Sequence, residues 1–271
     1  MTRHIIALLK PSHPLLALLL LLSALSLPAM AELPAYNTKI PTSFAGKLES
    51  FNTPDGGVFN IYVSGPDNSK ASIVMIHEWW GLNPHIKGLA DQLGALGYRV
   101  YAVDLYDGKL TDDPGAASMY MKMDDPAKSL AKLKTAIGAA FTRHGRVATI
   151  GWCFGGGWSL KASLAEPEKV AATVVYYGAL APDPEQLKRL RGPVLGIFGT
   201  QDKWINPAMV ADFEKGLTTA GIEHKVKSYE ADHAFANPSG DRFSMGPAQD
   251  AWKITLEFLA GALLGVKQEP K

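Results

Sequence analysis

Cys153, Asp202, His233 and Glu78 are residues whose types and spacing could do chemistry, and that chemistry would be nucleophilic attack on an acyl carbon. Cys153 sits in Gly151-Trp152-Cys153-Phe154-Gly155-Gly156-Gly157, a Gly-x-nucleophile-x-Gly pattern with cysteine where serine is commoner. A nucleophile in that pattern lies in a tight turn between a strand and a helix, and the flanking glycines leave the turn room to form. The turn sets the thiol at a helix N-terminus, where the macrodipole favours a thiolate. The competing reading is a buried structural cysteine, since free cysteine is among the most buried residue types. An apolar run before the motif and a helical pattern after it favour the nucleophile.

The partners follow in order. Asp202 comes after the apolar run Pro193-Val194-Leu195-Gly196-Ile197-Phe198, and His233 comes after the last strand pattern, in Tyr229-Glu230-Ala231-Asp232-His233-Ala234-Phe235. Alone, Asp202 reads as a turn aspartate and His233 as a solvated loop histidine. Nucleophile, acid and histidine in that order, each just after a strand, make a triad. His233 would be the general base and Asp202 would fix its tautomer, while Cys153 becomes acylated. Two backbone N–H groups must hold the oxyanion: that of Phe154, after the nucleophile, and one from the loop His77-Glu78-Trp79-Trp80-Gly81-Leu82-Asn83. His77-Glu78 opens like the zinc-protease pattern H-E-x-x-H, but Gly81 stands at the second ligand position, so no metal is expected. A carboxylate at Glu78 beside that loop is costly without a partner, so it is expected to face the thiol, the histidine or the substrate rather than bulk water.

The elements that must position these groups alternate along the chain. Strands are expected at Val58–Val63, Ser72–His77, Arg99–Asp104, Val147–Gly151, Val170–Tyr177, Val194–Gly199 and His224–Tyr229, and helices at Pro84–Leu96, Pro126–Arg143, Gly156–Leu164, Pro207–Ala220 and Pro247–Leu264. Runs as apolar as Ser72–His77 belong to strands buried on both faces. The fold class is therefore α/β, a three-layer sandwich around a mainly parallel sheet, with its ligands at the carboxyl ends of the strands.

Residues 1–31 are set apart as an export signal: Arg3 and Lys10 precede the apolar run Leu15–Leu27, and Ala29-Met30-Ala31 offers the small residues that a signal peptidase reads. Thirteen residues fall short of the roughly 20 that span a bilayer, so the mature chain, Glu32 to Lys271, is expected to be exported, periplasmic or secreted, with no membrane contact after cleavage. No repeat or composition break divides it, which gives a single domain over residues 32–271. Removing Arg3 and Lys10 lowers the 27 basic residues to 25, against 26 acidic ones. That balance, without a basic cluster, argues against a nucleic-acid partner and for a small neutral or weakly charged substrate. One cysteine cannot form an intramolecular disulfide, so the core alone must hold the fold.

The sequence resembles the dienelactone hydrolases, cysteine hydrolases of the α/β-hydrolase fold, from about Val58 to the final helix. The stretches that carry the likeness are His77 to Asn83, Gly151 to Gly156, the Asp202 loop and His233-Ala234-Phe235. The resemblance implies cleavage of a lactone or carboxylic ester, with Glu78 helping to activate Cys153, Trp79 completing the oxyanion hole and no metal or organic cofactor. It also implies arginines that clamp a substrate carboxylate, and here the sequence departs: no arginine lies between Arg99 and Arg143, and the residue four past His233 is Asn237. Trp80, Asn237 and Arg242 are the candidate substrate contacts. A non-catalytic binding or redox-sensing protein on the same fold is the alternative; the complete triad and the lack of a resolving cysteine count against it.

Overall fold

The computed structural model describes residues 33–266, so the expected leader lies outside the described part. Eight strands form one sheet: β1 (Lys47–Asn52), β2 (Val58–Ser64), β3 (Ser72–Ile76), β4 (Arg99–Val103), β5 (Val147–Trp152), β6 (Val170–Tyr176), β7 (Val194–Gly199) and β8 (His224–Tyr229). Their spatial order is β1-β2-β4-β3-β5-β6-β7-β8. Pairing is antiparallel for β1 with β2 and β2 with β4, and parallel from β4 through β8. Every residue of β3, β4, β5 and β7 is buried, as expected of parallel strands covered on both faces.

The helices are α1 (Pro84–Ala95), α2 (Pro114–Met123), α3 (Pro126–His144), α4 (Phe154–Ala165), α5 (Pro184–Leu187), α6 (Pro207–Ala220) and α7 (Met245–Leu264). Proline opens α1, α2, α3, α5 and α6, where a missing N–H costs nothing, and each is preceded by an Asn or Asp whose side chain accepts from the first turn. Strand β6 shows how the layers divide. Its Thr173 bonds to Ser163 of α4 on one face, and its Tyr176 hydroxyl reaches Ala251 and Thr255 of α7 on the other. On the α4 face, Leu133 and Ile137 of α3 and Trp158 of α4 pack with Val74, Ile76 and Val103, while Val210, Phe213 and Leu217 of α6 pack with Val175, Val194 and Phe198.

The sequence-based elements stand within a residue or two of those observed. Strand β1 and helices α2 and α5 are additions. Strand β1 is an edge strand with four of its six residues exposed, and α2 buries only Ala117, so neither carries a usable apolar period. Helix α5 is a single turn.

Candidate active site

Strand β5 runs straight into α4, and the residue at the join is Cys153, held at φ 53° and ψ −116°. A non-glycine residue with positive φ is strained, and here the surroundings impose it. The Cys153 N–H is bonded to the Tyr176 carbonyl at 3.0 Å. A Cβ on Gly151 would lie 2.1 Å from the Gly155 oxygen, and one on Gly155 would lie 2.3 Å from the Ile76 oxygen. The motif's glycines are thus required by close backbone approach across the turn.

Asp202 follows β7 and His233 follows β8, and the two loops are stitched together by Thr200 N–H to Tyr229 at 2.8 Å and Gln201 N–H to Ala231 at 3.0 Å. Asp202 is 2% exposed. One carboxylate oxygen accepts from the backbone N–H groups of Trp204 (2.8 Å) and Ile205 (2.9 Å), and the other lies 2.7 Å from His233 Nδ1. Burial pushes the Asp202 carboxyl up, but the bonds from His233 and the two amides outweigh it and leave it below the usual carboxylate range. An ionised Asp202 needs a proton on Nδ1, so Nε2 is the acceptor, and it lies 3.1 Å from the Cys153 sulfur. The structure therefore brings the three expected groups together in one relay.

Electrostatics at the sulfur oppose the thiolate expected from the helix terminus. Burial, then the Glu78 carboxyl, push the Cys153 thiol up to about 12, while the N–H groups of Phe154 and Trp79 act in the other direction. Desolvation outweighs the helix N-terminus, and the resting thiol is protonated. Both amides expected to form an oxyanion hole thus converge on the nucleophile.

Glu78 is 2% exposed, with one oxygen accepting from Asn237 Nδ2 and the other without a protein partner. Burial pushes it up to about 8, and the Asn237 bond only partly offsets this. Asn237 is committed on both sides, since its Oδ1 accepts from Ser239 N–H at 2.9 Å. It lines the cleft, yet its side chain faces Glu78.

Sequence reasoning passed over His77, which the fold makes a brace for this loop. Its Nε2 accepts from Leu105 N–H at 3.1 Å, so Nδ1 carries the proton and donates to the Glu78 carbonyl at 2.6 Å. The Glu78 carbonyl and Trp79 N–H share one trans peptide and point opposite ways, so this bond helps aim the N–H. Tyr177 (φ 33°) and Trp204 were also missed; their rings pack on the His233 imidazole, each at 5.2 Å between centroids.

These groups floor an open cleft of about 1320 Å³, walled by Trp79, Trp80, Phe154, Trp158, Tyr177 and Trp204. Its basic lining residues are Lys161, 4.8 Å over the Trp158 ring, and Arg242, 5.0 Å over Trp204 and 3.3 Å from Asp232.

The sequence model of the dienelactone hydrolase family matches residues 59–263. The chain belongs to the dienelactone hydrolase family. Protein usf of Aquifex pyrophilus is 30% identical over 212 residues, covering 73% of this chain and 90% of that one. A Saccharolobus solfataricus protein named provisionally as a carboxymethylenebutenolidase is 28% identical over 252 residues, covering 78% and 97%. A crystal structure from Klebsiella pneumoniae, described provisionally as a dienelactone hydrolase, superposes with a TM-score of 0.70 at 24% identity over 80% of this chain and 99% of that one, which supports the α/β-hydrolase fold. This dienelactone hydrolase-like enzyme is a hydrolase. It carries Asn237 bound to Glu78 where the resemblance called for a clamping arginine, and the arginine that lines the cleft is the Trp204-stacked Arg242.

Proposed function

We propose that this hydrolase opens lactones or cleaves carboxylic esters through a Cys153–His233–Asp202 triad and an acyl-enzyme intermediate. With its leader removed, it would act on small molecules in the periplasm or the surrounding medium. The observation that carries the reading is His233, bonded through Nδ1 to Asp202 at 2.7 Å and set by Nε2 at 3.1 Å from the Cys153 sulfur. No other histidine among the described residues touches the sulfur.

The thiol proton passes to His233, with the buried Glu78 carboxyl group beside it tuning when it leaves. The thiolate attacks the carbonyl carbon, and the N–H groups of Trp79 and Phe154 take the negative charge that forms on its oxygen. Collapse expels the alkoxide, which takes the proton from His233; in a lactone it stays tethered to the acyl group. His233 then removes a proton from water, hydroxide attacks the thioester, and the acid leaves as the thiol is restored.

Cys153→Ala should lower turnover of p-nitrophenyl acetate by at least about a thousandfold with an unchanged fold. Iodoacetamide should remove wild-type activity in step with thiol modification. A variant keeping more than a tenth of the rate would sink the triad.

A further inference from the structure

The segment before β1 lies outside the family match, which begins at residue 59, yet it reaches the histidine loop. Tyr36 is 5% exposed, and its ring packs on Trp252 of α7 (5.5 Å) and His85 of α1 (6.4 Å between centroids). Its hydroxyl donates to the Ala236 carbonyl at 2.5 Å, across 200 residues of chain, and lies 3.4 Å from His85 Nε2. Burial holds His85 down to about 4, so it is neutral at working pH. Further along, Ala45 and Gly46 N–H groups bond to the Asp91 carboxylate of α1 at 2.8 and 3.1 Å, and Gly46 N–H also donates to the Tyr62 hydroxyl. A Cβ on Gly88 of α1 would lie 2.9 Å from Pro41. The segment is a strap anchored along α1 with one buried side chain at its end.

Ala236 is placed to matter. Its carbonyl belongs to the same peptide as the Asn237 N–H, which donates to Ala234 at 2.9 Å, and the Asn237 side chain holds the Glu78 carboxyl. We propose that Tyr36 is a positioning residue for the reaction: through its hydrogen bond to Ala236 it fixes the loop that carries both His233 and the Asn237 bound to Glu78. The proposal rests on the triad reading above. The mechanism needs imidazole and carboxyl held to within tenths of an ångström, and the neighbouring Ala234, at φ 61°, is a strained position that a fixed loop must maintain. The expected signal cleavage would make Tyr36 the fifth residue of the mature chain, so this part of the site is supplied by the extreme N-terminus.

The test removes one oxygen. Tyr36→Phe keeps the ring packing and should lower kcat about tenfold with KM nearly unchanged, assayed well below the melting temperature. The titratable groups that feel Glu78 are Cys153, Tyr36 and Tyr177. Loosening Asn237 removes the bond that lowers Glu78, so the Glu78 limb of the kcat/KM profile should move to higher pH. Tyr62→Phe, which removes the hydroxyl that accepts from Gly46 N–H and donates to Asp91, should lower the melting temperature while leaving kcat and that limb in place. Wild-type kcat and pH profile in Tyr36→Phe would overturn the proposal, as would an equal kcat loss in Tyr62→Phe. Wild-type activity that survives complete alkylation of Cys153 would instead mark failure of the triad reading, in an arm that involves neither variant.

Discussion

At the scale of single residues, Glu78 is where stability and activity pull apart. An acid whose folded value is raised to about 8 from about 4.5 contributes nothing below pH 4.5; between those values the unfolded chain ionises while the folded chain stays protonated, so stability falls as pH rises. Glu78→Gln can still accept from Asn237 and removes that cost. It should raise the melting temperature at pH 7 to 8 and flatten the decline of stability between about pH 5 and 8, by a few kcal/mol at the upper end. Turnover should move the other way, falling about a hundredfold with little change in KM, because the carboxylate acts on proton position. A loss confined to KM would make Glu78 a substrate contact. Position 78 was legible in the sequence as a charge needing a partner, but the partner was not. Asn237 lies 159 residues away, and its own signal, a polar residue after the histidine, reads equally well as a substrate contact. Cys153 taught a related lesson: the helix terminus was readable from the glycine pattern, while the burial that overrides it depends on the whole cleft.

Among the elements, the β5–α4 turn carries the tightest constraint, and two glycines separate packing from flexibility. Gly155→Ala would place a methyl 2.3 and 2.5 Å from the Ile76 and His77 oxygens, both backbone atoms that cannot swing aside. It should cost about 3 kcal/mol or more in urea unfolding and displace the oxyanion loop that follows β3. Gly138 sits within α3 with nothing within 4 Å of an added Cβ, so Gly138→Ala should stabilise by about 0.5 to 1 kcal/mol. Similar effects at the two positions would show that the turn is not as tight as its geometry. The parallel strands β3 to β8 and the proline-opened helices α1, α3 and α6 were readable because apolar runs and N-terminal caps are local signals. Strand β1 was not, since Lys47-Leu48-Glu49-Ser50 presents mostly exposed side chains and its pairing with β2 is what orders it. Helix α2, which buries only Ala117, has too narrow an apolar face to read.

On the scale of the whole molecule, sequence order was enough to bring Cys153, Asp202 and His233 to one edge of the sheet, because each follows a parallel strand and such strands all end on the same side. Contacts made by residues outside that pattern, Tyr36 on Ala236 and Arg242 on Trp204, are set by how loops and strap drape over the layers. Arg242 does reach the cleft, but its side chain is 47% exposed and it is already paired with Asp232. An exposed pair is worth up to about 1 kcal/mol, roughly fivefold in affinity. The enzyme should therefore prefer a neutral lactone to a carboxylated one of similar size, and Arg242→Ala should change that ratio by less than about fivefold. A strong preference for the carboxylated lactone that vanishes in the variant would make Arg242 a substrate clamp. The triad itself is tested most directly by mass spectrometry of the enzyme acid-quenched during turnover of p-nitrophenyl acetate. The account predicts one acetyl group per chain, on the peptide that contains Cys153; steady turnover with no acyl group on Cys153, or with the acyl group on another residue, would contradict it.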